Sequence, residues 1–127
     1  MPESSDKHSI FSYLDYRDFL RDRFTALRSQ TPEFSYRFFA QIAKVSPSFL
    51  KLVATKRKHL SQKSVLKFAR ALGLDATETT YFHHLVLFNR AKTLDEQNYY
   101  YHMLCKTLKN AKNVSVPQNL SSVTIFL

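Results

Sequence analysis

Residues 35–74 have the sequence SYRFFAQIAKVSPSFLKLVATKRKHLSQKSVLKFARALGL, and this stretch decides the predicted fold. Ser35, Ser46 and Ser61 each precede a run in which apolar residues recur at helical spacing. Serine is a preferred N-cap residue, because its side chain accepts a hydrogen bond from a free backbone N–H of the first turn. Pro47 follows Ser46 at the first helical position, where its missing N–H costs nothing. The stretch therefore predicts three helices, of which the first two are short and joined by a tight turn.

Further cap signals extend the pattern on both sides of this stretch. Asp15, Asp75 and Thr93 are N-cap candidates, and the last two each have a glutamate three residues later, as in a capping box. Gly73 suits the left-handed position just after a helix. We therefore predict six helices, at about 16–29, 36–43, 47–55, 62–72, 76–90 and 94–110. The fourth is expected to bury Val65, Leu66, Phe68, Ala69 and Leu72.

The composition also favours helices and excludes several classes of protein. Gly73 is the single glycine, whereas sheets, P-loops and dinucleotide-binding folds need glycines at several turns. Cys105 is the single cysteine, so an internal disulfide is excluded and a reducing compartment fits. The sequence shows neither the apolar core of a secretory signal near its N-terminus nor an apolar run of about 20 residues. We therefore expect an all-α, soluble, cytoplasmic protein without a membrane partner.

Positive charge is concentrated in the same part of the chain. Residues 34–74 contain nine basic residues and no acidic one, whereas the rest of the chain is balanced. The nine are Arg37, Lys44, Lys51, Lys56, Arg57, Lys58, Lys63, Lys67 and Arg70. They interleave with apolar residues at helical spacing, which indicates a folded surface rather than a flexible tail. Such a surface attracts a polyanion, because each neutralised phosphate releases counterions.

The two short helices and their turn predict how this surface binds double-stranded DNA. In a helix-turn-helix unit the second helix enters the major groove and the first crosses the backbone. At 3.6 residues per turn, Leu50, Val53 and Ala54 of the third helix face the core and the opposite face points outward. The predicted base contacts are Pro47, Ser48, Lys51, Leu52 and Thr55. The predicted phosphate contacts are Tyr36, Arg37, Lys44, Ser46, Lys56, Arg57 and Lys58.

Three short motifs lie in register within this stretch. Residues 35–40 (SYRFFA) resemble a Ser-Gln-x-x-Leu-Ala helix start, and Ala40 followed by Val45-Ser46 resembles an Ala-x-x-x-Gly-Val-Ser turn. Residues 69–74 (ARALGL) resemble an Ala-x-Ala-Leu-Gly-Val helix end. Together the motifs resemble the lambda-repressor/Cro superfamily of helix-turn-helix proteins. The resemblance implies a five-helix, lambda-repressor-like DNA-binding domain, to which the sixth helix is an addition.

A closer resemblance covers about residues 10–112. The segments 13–20 (YLDYRDFL), 82–86 (FHHLV) and 99–101 (YYY) resemble helices of a family of bacterial two-domain transcriptional regulators, whose C-terminal domain has no known function. The resemblance implies a transcriptional regulator and not an enzyme. The chain ends where the second domain of that family begins, which leaves open whether it is full-length or a fragment. The operator, any effector and the sign of regulation also stay open.

Two lysines depart from the superfamily pattern. Lys44 stands in place of the turn glycine and Lys56 in place of the glycine after the third helix. We expect Lys44 to adopt a left-handed backbone conformation, which is uncommon for a residue other than glycine. The resulting organisation is a flexible N-terminus at 1–10, a helix-turn-helix domain at 11–91, an additional helix at 92–112 and a tail at 113–127.

Other interpretations of these residues remain. Phe49 and Leu52 on the third helix would also suit a protein-interaction adaptor, and the basic surface would suit an RNA-binding module. Tyr36 is as readily explained by packing at the start of its helix as by a phosphate contact. The exposed cations of the fourth helix are more readily explained as a solvated face than as DNA contacts.

The sixth helix offers a candidate homodimer interface at Tyr99, Tyr100 and Tyr101, and packing against the fifth helix is the alternative. His102 and Cys105 are spaced to share a face but supply only two ligands of a tetrahedral zinc site. We therefore predict no metal, no cofactor and no small-molecule substrate.

Overall fold

The computed structural model describes residues 9–31 and 35–111. A short 3-10 helix (Ile10–Ser12) precedes six α-helices. They are α1 (Tyr16–Gln30), α2 (Tyr36–Ala43), α3 (Pro47–Ala54), α4 (Gln62–Leu72), α5 (Ala76–Arg90) and α6 (Leu94–Asn110). This part of the chain contains no strand, which confirms the predicted all-α class. None of its helices is long and apolar enough to cross a bilayer. The tail predicted at 113–127 lies outside the described residues.

The cap residues explain why the helices begin where they do. The side chains of Ser35, Ser46 and Ser61 each accept a hydrogen bond from the backbone N–H three residues later. The capping box at Asp75 is complete, because the Glu78 carboxylate also accepts from the Asp75 N–H. The second predicted capping box differs, because the Glu96 carboxylate accepts from the N–H of Lys92 and not from that of Thr93. All six predicted helices are confirmed, and their ends shift by one residue at most.

α1 forms the centre of an aromatic core. Phe24 packs on Phe39 of α2 with ring centroids 4.9 Å apart, and Phe39 packs on Phe68 of α4 at 5.5 Å. On its other side α1 contacts α5 through Phe19 and Phe82, at 6.3 Å. The first two pairs are edge-to-face, a geometry that adds to the stabilisation that comes from burying their area. α6 packs along α5 and joins the core through Leu104 and other apolar residues.

The N-terminal boundary of the folded part differs from the predicted one. The sequence predicts a flexible segment at 1–10, but the side chain of Ile10 is fully buried in the core. The hydroxyl of Tyr81 on α5 donates to the carbonyl of Tyr13 at 2.8 Å, which ties the segment after the 3-10 helix to the bundle. The ordered domain therefore starts before residue 11. Residues 1–8 lie outside the described part.

Tyr16 and Asn89 connect three distant parts of the chain. The Tyr16 hydroxyl accepts from the buried N–H of Leu60 at 3.0 Å and lies 3.1 Å from Nδ1 of His59. The Tyr16 N–H donates to Asn89 of α5 at 2.9 Å, and the Asn89 amide donates to the carbonyl of Leu14 at 2.9 Å. The start of α1 is thus fixed to the end of α5 and to the loop after α3.

Candidate nucleic-acid interface

The turn between α2 and α3 is held by backbone hydrogen bonds and a cap. Lys44 has φ 59° and ψ 44°, so the predicted left-handed conformation is confirmed. The N–H of Val45 donates to the carbonyl of Ala40 at 3.0 Å, which closes the end of α2. Ser46 then caps α3 by accepting from the N–H of Phe49. The two short helices are therefore joined by a defined three-residue turn.

α3 buries one face and exposes the other. Leu50 and Val53 are fully buried, as predicted, and Ala54 is half-buried. Of the predicted base contacts, Pro47, Ser48, Lys51 and Thr55 are exposed and Leu52 is half-buried. An open groove on this face is lined by Ser48, Lys51, Leu52, Thr55 and Arg57. The fold thus brings four of the five predicted base contacts together with one predicted phosphate contact.

The basic loop after α3 is anchored by its backbone. The N–H groups of Arg57 and Lys58 both donate to the carbonyl of Leu52, at 2.8 and 3.2 Å. The ammonium of Lys58 lies 5.8 Å from the centre of the Phe49 ring, which is the geometry of a cation–π contact. These contacts hold the loop backbone and the Lys58 ammonium beside α3, and Arg57 lines the groove on its outer face. Phe49 therefore has a role that the sequence pattern did not indicate.

Lys56 differs from its neighbours because carboxylates already bind it. Its ammonium lies 3.0 Å from the carboxylate of Asp18 in α1 and 3.3 Å from that of Asp15, which caps α1. Hydrogen bonds and charge from Asp18 and Asp15 raise the pKa of Lys56. Partial burial alone would raise the pKa of Asp15, but hydrogen bonds from the Arg17 N–H and from Lys56 outweigh it and lower that pKa. Lys56 therefore joins α1 to the end of α3 in the folded chain, and its assignment as a phosphate contact stays a prediction.

The predicted phosphate contacts on and at the end of α2 comprise one packed residue and two exposed ones. Tyr36 is half-buried, its ring packs on Phe24 at 5.5 Å, and the guanidinium of Arg28 lies over it at 5.6 Å. Packing at the helix start thus accounts for Tyr36. Arg37 and Lys44 are exposed at opposite ends of α2. The exposed predicted phosphate contacts besides Lys56 are Arg37, Lys44, Ser46, Arg57 and Lys58.

Two half-buried histidines have lowered pKa values. Burial, followed by the guanidiniums of Arg17 and Arg90, lowers the pKa of His59. Burial, followed by the neighbouring His83, lowers the pKa of His84. Both imidazoles therefore favour the neutral form in the folded chain.

The three tyrosines of the candidate dimer interface do not share one environment. Tyr99 is 59% exposed, and its ring contacts that of Tyr100 at 5.1 Å. Tyr101 faces α5, where its ring lies 6.2 Å from that of Phe88. Tyr99 is therefore the residue of this group with the most surface for a partner. Within the described ranges no group of three or more His, Cys, Asp or Glu side chains is placed to hold a metal ion.

Comparisons with protein-family models, with curated proteins and with solved structures find no match to this chain.

Proposed function

We propose that this protein is a double-stranded DNA-binding transcriptional regulator that places α3 in the major groove. The groove on the outer face of α3 is the observation that carries the proposal, because its polar, cationic and apolar groups suit the edges of bases. The lambda-repressor-like arrangement of the five helices, which the sequence motifs imply, belongs to the same proposal.

Each group in the groove has a matching partner on DNA. The Lys51 ammonium suits O6 and N7 of guanine, and Ser48 suits a base edge or a phosphate. The Thr55 hydroxyl donates to the carbonyl of Lys51 at 2.8 Å, so its methyl group is left for an apolar contact. Leu52 beside it supplies a second apolar group, and the methyl of thymine is the apolar feature of the major groove. We therefore expect an operator half-site that contains guanine next to thymine.

Four exposed cations supply the contacts to phosphate in this proposal. They are Arg37, Lys44, Arg57 and Lys58. If each neutralises one phosphate, the logarithm of the binding constant falls with the logarithm of salt concentration with a slope of about −3.6 per chain. Such contacts strengthen binding to every sequence alike, because phosphates carry no sequence information.

A matched pair of double variants tests the docking face. Replacing Arg57 and Lys58 by alanine removes two predicted phosphate contacts, so the salt slope should decrease in magnitude by about 1.8. Replacing Lys63 and Lys67 on α4 by alanine removes the same charge from a solvated helix face. Fluorescence anisotropy with labelled duplex DNA at several salt concentrations measures both slopes. Equal slopes for the two variants, or unchanged affinity in the first, would contradict the proposal.

Base recognition needs a separate experiment, because phosphate contacts alone give no preferred sequence. Selection of bound duplexes from a random pool should yield a shared motif, and Lys51→Ala should relax it at one guanine. Competition by single-stranded RNA that equals competition by duplex DNA would favour the RNA-binding alternative.

The adaptor alternative is supported by exposed apolar side chains on α2. Phe38 is 45% exposed and Ile42 is 50% exposed, and the two lie one turn apart. Such a strip suits a protein partner. If Phe38→Ser leaves duplex binding intact but removes a protein partner, the adaptor role accompanies DNA binding instead of replacing it.

A homodimer belongs to the same proposal. Helix-turn-helix proteins commonly bind as dimers to half-sites one helical turn apart, roughly 34 Å. The exposure of Tyr99, together with Leu94 at 70%, supports a contact between copies through α6. A symmetrical operator motif would then accompany a dimeric mass in solution.

A further inference from the structure

A small cavity of about 190 Å³, open to solvent on one side, lies where the 3-10 helix meets α5 and α6. Its walls include Phe11, Tyr13, Tyr81, Tyr101, Leu104 and Cys105, and Leu14 stands at its exposed edge. It lies away from the groove on α3, and the two have no lining residue in common.

The cavity walls are aromatic and aliphatic, and their polar groups are neutral. Among the described residues that line it none is acidic or basic. The Tyr81 hydroxyl already donates to the Tyr13 carbonyl, and burial raises the pKa of Tyr81. Burial also raises the pKa of the Cys105 thiol and of Tyr101 beside it. An ionised ligand would therefore lose its hydration without gaining an opposite charge, so the cavity favours an uncharged one.

The size of the cavity favours a ligand with a single ring. An apolar cavity of roughly 150 Å³ stays dry and accepts benzene. The 190 Å³ available here therefore holds one six-membered ring with one small substituent. Pockets for drug-sized ligands begin at roughly 300 Å³, so a fused-ring ligand would extend through the open side and leave part of its surface in water.

We propose that this cavity is a binding site for a small, neutral, single-ring aromatic molecule.

The position of the cavity suggests how a ligand would act on the rest of the chain. Tyr13 lines the wall and Leu14 the edge, and the next residue, Asp15, caps α1. The Asp15 carboxylate pairs with Lys56 at the end of α3. A ligand that moves the segment at Tyr13 thus moves a partner of the helix proposed to bind DNA. This regulatory consequence rests on the proposed function, whereas ligand binding itself does not.

Toluene is the probe for the site, and benzoate is its charged control. With the full chain, toluene at ten times its dissociation constant should raise the melting temperature by several degrees, because a ligand of the folded state shifts unfolding by mass action. Benzoate at the same concentration should not. In the bound state the toluene methyl should show NMR cross-peaks to the methyl groups of Leu104. These cross-peaks test the site without any substitution.

Two substitutions locate the binding. Cys105→Met adds volume inside the cavity and should weaken toluene binding at least tenfold. Leu14→Ala removes part of the cavity edge and should lower the affinity for toluene. Leu66→Ala is the control and should not change that affinity, since the two leucines are almost equally exposed, at 57% and 58%. Absence of a toluene effect in the wild-type protein, benzoate binding of equal strength, or cross-peaks from residues 112–127 to Leu104 before toluene is added would each overturn the proposal.

Duplex affinity with and without toluene separates the two proposals. Typical coupling between two sites changes affinity by at least about fivefold. If toluene binds and duplex affinity is unchanged, the coupling is overturned while the ligand site stands. If toluene binds to a chain that does not bind DNA, the proposed function fails and the site again stands.

Discussion

Compared with a glycine at the same position, Lys44 in the turn between α2 and α3 should lower the stability of the protein and raise its affinity for DNA. Lys44 has φ 59° and Gly73 has φ 74°, and the two end their helices with the same bonds. In each case the N–H of the following residue donates to the carbonyl five residues earlier at 3.0 Å. A left-handed residue with a side chain costs about 1–2 kcal/mol. Glycine avoids this cost, but it loses more conformational entropy on folding, which lowers the free energy of unfolding by roughly 0.5–1 kcal/mol.

Lys44→Gly should therefore raise the free energy of unfolding by about 0.5–1 kcal/mol, or the melting temperature by roughly 2–8 °C. Gly73→Ala should lower the free energy of unfolding by a similar amount. Apart from Gly73 itself and its chain neighbours, no described atom lies within 4 Å of the added Cβ, so backbone strain is its main cost. Lys44→Ala keeps the strain and should leave stability nearly unchanged. Urea denaturation followed by circular dichroism measures all three.

The DNA affinity of the same variants separates charge from backbone strain. Lys44→Gly and Lys44→Ala remove the same cation, so both should reduce the salt slope by about 0.9. Gly73→Ala should leave the slope unchanged. The reasoning about strain would be refuted if Lys44→Ala were as stable as Lys44→Gly. The reasoning about phosphate contact would be refuted if both variants bound duplex DNA as the wild type does.

Three further results are expected. Tyr16→Phe removes the acceptor of the buried Leu60 N–H and should cost about 1–3 kcal/mol in urea denaturation, and a loss below 0.5 kcal/mol would show that this bond is replaceable. His59 and His84 have lowered pKa values in the folded chain, so the unfolded chain binds protons more readily. Stability should be complete above the ordinary histidine pKa of about 6.5 and should fall as pH decreases below it toward the lowered folded values, whereas a flat profile between pH 7 and 5 would contradict this. Tyr99→Glu should halve the mass measured by light scattering if α6 forms the dimer, and a wild-type dimer that the variant preserves would exclude this surface.

The helices could be predicted from sequence because their signals are local. A cap such as Ser46 or Asp75 acts on an N–H three residues away, and Gly73 acts on its own backbone. The expected burial of Leu66 is wrong, since its side chain is 58% exposed. At about 100° per residue, Leu66 lies almost opposite the buried Phe68, so an apolar residue within a helical run is not always on the core face.

The exposed face of the helix in the candidate site could be predicted from sequence, but the contacts that hold the surrounding residues could not. The outer face of α3 follows from helical periodicity, and Lys51 and Thr55 are exposed on it. The pairing of Lys56 with Asp15 joins residues about forty positions apart, and no local pattern encodes such a contact. The contact of Phe49 with Lys58 depends on the path of the loop, which the carbonyl of Leu52 determines through two hydrogen bonds.

The link between Tyr16 and Asn89 has a consequence for biosynthesis. The two residues are separated by 73 positions, so the ribosome synthesises the start of α1 well before its partner on α5. At an elongation rate of roughly 5–20 residues per second, this interval lasts roughly 4–15 s. During it the aromatic face of α1 has no α5 to cover it, so the bundle cannot close on this side until α5 has been synthesised.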